Sequence, residues 1–318
     1  MLLYTARRIL FVIPIALGVT IVCFSLVYLA PGDPIQSLMP ADASKADLEL
    51  LRKAYGFDQP IPVQYLKWLA RAASGDLGLS LQTNQPVLGE VMRALSNTVV
   101  ISGGAVLLAF GFAVGAGTLA AFHLGKPTDR IATGVSVLGV SIPNYWLGIV
   151  LIIVFAVQLG WLPATGMGSR GSESFNPLKW DQLKYAILPI VTMSLVPLGV
   201  IMRSTRSAVA EVLAQDFIQV LYAKGLSTFA VMRHAVRNAL PSILAVMGLQ
   251  FGYLVGGSIL IETIFTWPGT GFVLSKAILT RDIPLLQGTI LVLSLCFVLT
   301  NLGVDLLQTA VDPRIKRA

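Results

Sequence analysis

The chain has 318 residues, 55% of them hydrophobic and only 12% charged, with a mean hydropathy of +0.77. That balance excludes a water-soluble core and places the chain among integral membrane proteins. The net charge of +7 calls for no nucleic acid, because basic residues gathered on one side of a membrane, with anionic lipid beside them, account for it.

Arg7 and Arg8 precede the first apolar run, at 9–29. This run is longer than the roughly 7 to 15 residues of a secretory h-region, and Leu29-Ala30-Pro31 is a poor cleavage site, so it reads as an uncleaved anchor. Further runs long enough for a hydrocarbon layer of roughly 30 Å lie at 99–122, 131–157, 185–202, 243–264 and 285–307. The expected fold is therefore all-α and integral to the membrane, with six transmembrane helices. Cys23 and Cys296 fall inside these runs as small hydrophobes, with neither disulfide nor metal spacing.

Between the first two runs lies an insert punctuated by Pro31-Gly32-Asp33-Pro34, Pro60-Ile61-Pro62 and Gly75-Asp76-Leu77-Gly78. Apolar spacing predicts a short amphipathic helix over 47–54 and a second over 63–72, the latter offering Tyr65, Leu66, Trp68 and Leu69 for packing. Trp68 suits a membrane interface equally well. With both termini cytosolic, the inside segments hold Arg7, Arg8, Lys126, Arg130, Arg203, Arg206, Lys224, Arg233, Arg237, Arg314, Lys316 and Arg317, about twice the basic density outside. The insert is then extracytoplasmic.

Within the spans, Gly248, Gly252 and Gly256 recur on one face, as do Gly111 and Gly115, and such faces let helices approach closely. Pro143, Pro189 and Pro197 predict kinks or freed carbonyls. Gln158, Gln250 and Asn301 either line an aqueous path or cross-link helices. Glu262, near the outer end of the fifth span, marks a pathway or reaches water or a loop N–H; Asp305 reads similarly at the inner end of the last span.

The segment 211–241 is polar and basic between two apolar stretches. Its pattern predicts two short helices broken by Gly225, with Pro241 opening the next span, which makes it a docking handle for a cytosolic partner. No catalytic constellation accompanies it: GxSxG, HExxH, GxxxxGK[ST] and CxxC are all missing, and His123 and His234 read as surface histidines at the cytosolic face. Energy from a nucleotide would have to enter through a separate subunit.

Several motifs, in order, resemble one family. They are Ala6-Arg7-Arg8-Ile9, Leu29-Ala30-Pro31-Gly32-Asp33-Pro34, Tyr55-Gly56-Phe57-Asp58-Gln59-Pro60, Gly75-Asp76-Leu77-Gly78-Leu79-Ser80, Ser141-Ile142-Pro143-Asn144-Tyr145-Trp146-Leu147-Gly148, Leu159-Gly160-Trp161-Leu162-Pro163 and Asp312-Pro313-Arg314-Ile315. Together they are similar to the membrane subunits of ABC importers for dipeptides, oligopeptides and related solutes such as nickel complexes or glutathione. The resemblance implies the type I permease fold with an extracytoplasmic insert after helix 1. It divides the chain into a cytosolic N-terminus at 1–8, a first transmembrane helix at 9–30, the insert at 31–97, a five-helix core at 98–309 and a cytosolic C-terminus at 310–318. Within that core, 207–241 is the coupling segment.

In that family a coupling helix seats in a groove of the ATP-hydrolysing subunit, and Ala223-Lys224-Gly225-Leu226 and Arg237-Asn238-Ala239-Leu240-Pro241 match its pattern. The chain departs at Gln219-Val220-Leu221-Tyr222, where Arg-Thr-Ala-Arg is usual; this bears on charge contacts to the ATPase rather than on docking. Swinging a two-state pore between extremes takes about 5.5 kcal/mol of differential binding, so one face must be a hot spot. Glu211, Asp216, Phe217, Leu221, Tyr222, Ala223, Lys224 and Gly225 are its expected members, and Gln250, Asn301 and Glu262 the expected path residues. The resemblance further implies an inner-membrane, multi-pass subunit that binds no cofactor itself. Its partners would be a second homologous permease, two ATP-binding subunits using ATP and Mg, a soluble binding protein and a peptide substrate. An ion-coupled secondary transporter would need intramembrane coupling residues and inverted repeats; a structural or sensory membrane protein is the remaining class.

Overall fold

The computed structural model describes residues 2–29, 49, 58–168, 175–176 and 179–311. The expected helix at 47–54 and the Asp312-Pro313-Arg314-Ile315 motif lie outside them, apart from Glu49. Eleven helices follow in order among the described residues: α1 Leu2–Leu29, α2 Ile61–Ala73, α3 Val87–Phe122, α4 Pro127–Ser141, α5 Asn144–Leu151, α6 Trp180–Leu213, α7 Asp216–Ala223, α8 Thr228–Gly257, α9 Ile259–Ile264, α10 Thr270–Leu279 and α11 Ile283–Val311.

By length and composition α3, α6, α8 and α11 can each cross a membrane, and α4 with α5 makes a fifth span. The helix α1 has 28 residues, about 42 Å at the usual rise, and its described apolar stretch is the shorter Ile13–Ser25. The outward surface carries large apolar side chains such as Leu107, Phe112, Ile131 and Leu299, as a lipid-facing bundle requires. Because spans alternate in direction, the bundle has an insert end, holding α2 and the α9–α10 loop, and an opposite end, holding α7.

The third span departs from the single helix expected at 131–157. It breaks at Ile142-Pro143, and α5 leaves at 94° to α4. Proline disfavours helical backbone in the residue before it and cannot donate an N–H, so the chain turns here and Pro143 becomes the N-cap of α5. α5 then continues as a π-helix over Ile152–Gln158. Pro189 and Pro197, by contrast, sit buried inside a continuous α6.

Small residues set the helix spacing. The core at the opposite end is built on Ala109, Ala113, Ala120, Ala235 and Ala239, with Ile201, Val209 and Ile243 between them. Gly248 and Gly252 pack on Val304 and on Phe297 and Thr300 of α11, as the glycine face suggested, but Gly256 meets nothing. In α3 the close approach to α6 is made by Gly104 and Gly117, against Ile190 and against Met202 and Thr205. Gly111 and Gly115, expected to do this, face open space because they project from parts of α3 that no described helix covers.

At the insert end α2 lies along α1. Phe24 meets Tyr65 edge-on at 5.5 Å and Trp68 at 5.9 Å, and the hydroxyls of Thr20 and Tyr65 share a 2.8 Å hydrogen bond. Tyr65 and Trp68 therefore pack as the spacing implied, while Leu66 is exposed. The chain then forms a tight hairpin, Leu79 bridging Pro86, before entering α3. Asp282 fastens that hairpin: its carboxylate accepts from Ser80 Oγ at 2.6 Å and from Leu285 N at 3.1 Å, capping α11 at the same time.

Candidate functional site

At the opposite end, α7 stands between α6 and α8 as an eight-residue amphipathic helix. Ile218 is buried, and Phe217, Leu221 and Leu226 pack with it against the helix core. The helix stops where Gly225 N–H donates to Tyr222 O at 2.9 Å and Leu226 N–H to Leu221 O at 3.2 Å, the paired bonds of a Schellman motif. That motif needs left-handed backbone, and Gly225 has φ +78°, a conformation open to glycine at no steric cost.

The expected second short helix does not exist. Ser227 caps α8 by accepting from Ala230 N–H at 3.4 Å, and α8 runs unbroken for 30 residues through Pro241. Pro241 does not open a span because Arg237, four residues earlier, is exposed, and its freed carbonyl loses no bond that solvent cannot replace.

Of the eight residues expected at the docking surface, Glu211, Asp216, Tyr222, Ala223, Lys224 and Gly225 are exposed, whereas Phe217 and Leu221 turn inward and hold α7 to the bundle. Two further large apolar residues of this segment are exposed: Val220 at 51% and Phe229, at the start of α8, at 75%, alongside Tyr222 at 46%. Val220 was legible in principle, since it lies half a helical turn from Ile218. Phe229 was not, because the separate second helix assumed there would have hidden its phase.

At the insert end Glu262 is 0% exposed. Its carboxylate accepts from Thr98 Oγ1 at 2.7 Å, Ser258 Oγ at 2.6 Å, Gly271 N at 2.7 Å and Phe272 N at 3.1 Å. The last two are first-turn amides of α10, whose positive dipole end suits an acidic group. Thr98 in turn accepts from Thr270 N at 2.8 Å. Next to it, Trp267 Nε1 donates to Asn97 O at 3.0 Å and Asn97 Nδ2 to Pro268 O at 2.9 Å. The loop N–H contact expected for Glu262 is thus present, and the carboxylate bolts the α9–α10 loop to α3.

Of the three expected path residues, Asn301 borders a cavity of about 630 Å³ with Ile15, Val19, Leu274, Phe297 and Asp305. Neither Gln250 nor Glu262 lines that cavity. Gln250 projects from α8 between Gly248 and Gly252, on the side turned away from their α11 contact by helical phase. Glu262 is enclosed. The side-chain oxygens of Gln250 and Asn301 are buried without a hydrogen-bond partner among the described residues.

Comparison with known proteins gives this arrangement a family. Residues 113–317 match the binding-protein-dependent transport system inner membrane component, and residues 1–102 match the N-terminal model of such membrane components. The chain belongs to that family: it is a multi-pass permease component of a binding-protein-dependent transport system. It is 40% identical to the dipeptide transport system permease protein DppB of Alkalihalophilus pseudofirmus, over 99% of this chain and 100% of that protein. It is 37% identical to the glutathione transport system permease protein GsiC of Escherichia coli, over 99% of each. The solved inward-facing MetNI methionine ABC transporter shares the fold, with a TM-score of 0.58 at 17% identity over 70% of this chain and 96% of that one.

Proposed function

We propose that this chain is the membrane-spanning permease subunit of an ATP-driven importer of dipeptides or oligopeptides. A second, homologous permease completes the passage, and two ATP-binding subunits use ATP and Mg while this chain binds no cofactor. A soluble binding protein delivers the peptide at the insert end, and both termini are cytosolic. The observation that carries the reading is α7: an exposed helix whose inner face is fixed to the bundle and whose outer face offers Val220, Tyr222 and Lys224. Aromatic and apolar anchors set among polar residues are what a docking hot spot needs. The likeness to the dipeptide permease supports the substrate class.

In this reading Glu211, Asp216, Tyr222, Ala223, Lys224 and Gly225 form or shape the ATPase contact, and Phe217 and Leu221 transmit its movement inward. Gln250 and Asn301 face the passage, where water, substrate or the second permease completes their hydrogen bonds. Glu262 anchors the outer loop. The likeness to the glutathione permease favours glutathione as the second substrate reading.

Co-expression with neighbouring permease, ATPase and binding-protein subunits, followed by reconstitution in lipid, tests the proposal. ATP hydrolysis stimulated only by binding protein loaded with mixed di- and oligopeptides supports it. Stimulation by glutathione instead moves the substrate, and failure of any ATPase to associate overturns the importer reading.

A further inference from the structure

Asp129 is charged yet only 5% exposed. It occupies the first turn of α4, reaches back to accept from Gly125 N at 2.9 Å, and receives a two-pronged hydrogen bond from Arg206 of α6, with Nη2 at 2.9 Å from Oδ2 and Nε on Oδ1. A forked guanidinium on a carboxylate at a helix N-terminus is both strong and directional. Arg206 stands in the stretch of α6 that leads directly into α7.

Deeper in the bundle α4 and α6 touch backbone to backbone. A Cβ on Gly199 would lie 2.5 Å from Ser136 O, and one on Gly139 would lie 2.9 Å from Leu195 O. Beyond that contact α4 breaks at Pro143 into the 94° bend. α5 then brings Gly148 against Thr192 of α6 and against Phe265, beside the loop that Glu262 holds. One continuous line of contacts therefore runs from α7 through α6 and α4 to the bend and the insert-end loop. The ion pair is the only charged link in it among the described residues.

We propose that Asp129 and Arg206 are positioning residues that make the bent pair α4–α5 follow α6 when the docking helix moves, so that ATP hydrolysis and solute passage stay coupled. The inference rests on the docking role proposed for α7. Without the pair, α6 still carries α7 to the ATPase, but α4 is released at its end and the movement no longer reaches the bend.

The test uses the reconstituted full complex with a mixed dipeptide preparation as probe and reads uptake per ATP hydrolysed. A cysteine at Gln219, exposed on α7 beside the docking anchors, cross-linked to the ATPase subunit reports docking separately. In Asp129→Asn, cross-linking and ATP hydrolysis are expected to persist while uptake per ATP falls about fivefold or more. The charge-exchanged double variant Asp129→Arg with Arg206→Asp is expected to regain much of it. An unchanged ratio in Asp129→Asn overturns the proposal. So does a charge-exchanged complex that assembles and cross-links but stays uncoupled, a result that holds even if Asp129→Asn fails to assemble. Loss of the cross-link with the native pair in place overturns the docking role of α7 instead.

Discussion

Thr98 of α3 donates its hydroxyl hydrogen to Glu262 of α9 at 2.7 Å, joining two residues 164 positions apart in a site closed to solvent. The same oxygen of Thr98 accepts from the first amide of α10. One threonine thus ties three helices together, and Glu262 is held by donors alone.

Removing Glu262 leaves those donors buried. Glu262→Ala strands two hydroxyls and two amides, and each stranded group costs about 1–3 kcal/mol unless it finds a new partner. A clear fall in the unfolding midpoint of the detergent-solubilised protein is expected. Glu262→Gln keeps an acceptor for the α10 amides and falls less; equal losses in the two variants would remove the hydrogen bonds as the reason.

Gly225 has no neighbour that an added Cβ would strike, so its requirement is purely conformational. Gly225→Val therefore costs about 1–2 kcal/mol of local backbone strain and re-aims the end of α7. The complex is expected to assemble in the membrane while substrate-stimulated ATP hydrolysis drops, and Gly225→Asn should drop less because asparagine tolerates left-handed backbone. Normal transport by the valine variant would show that the α7 turn does not set the ATPase contact.

Val220 and Phe229 have large exposed apolar surfaces at the end of the bundle where α7 projects. Placing a charge on either, as in Val220→Asp or Phe229→Asp, is expected to weaken ATPase association by about 2 kcal/mol if each is an anchor. Gln219→Ala, beside Val220, should leave it within about 0.5 kcal/mol. Co-purification at graded subunit concentration measures this, and three indistinguishable variants would place the ATPase contact elsewhere.

Gly199 and Gly111 separate a glycine required by packing from one that is not. Gly199→Ala forces a methyl against the Ser136 carbonyl, and backbone does not yield as a flexible side chain would. Overpacking of this kind costs about 1–3 kcal/mol. Gly111→Ala enters open space and is expected to leave the isolated subunit as stable or slightly more so. Thermal unfolding of both in the same detergent checks the contrast.

The sequence alone determined the membrane class, four of the stretches long enough to cross, the polar segment that projects α7 and the glycine that ends it. Each rests on a local sum or a short-range rule: hydropathy over about 20 residues, one positive-φ glycine, the alternation of apolar and polar residues along a helix. Continuity of α8 through Pro241 lay at the limit of such rules, because proline breaks a helix or not according to what surrounds the freed carbonyl. The tertiary structure alone decided that Glu262 answers to Thr98, that Arg206 grips Asp129 across 77 positions, and that Gly117 rather than Gly115 meets α6. Partners so far apart in sequence leave no local pattern. Their choice depends on how whole helices cross and rotate, and that is settled only when small residues let backbones meet and most buried polar groups find partners.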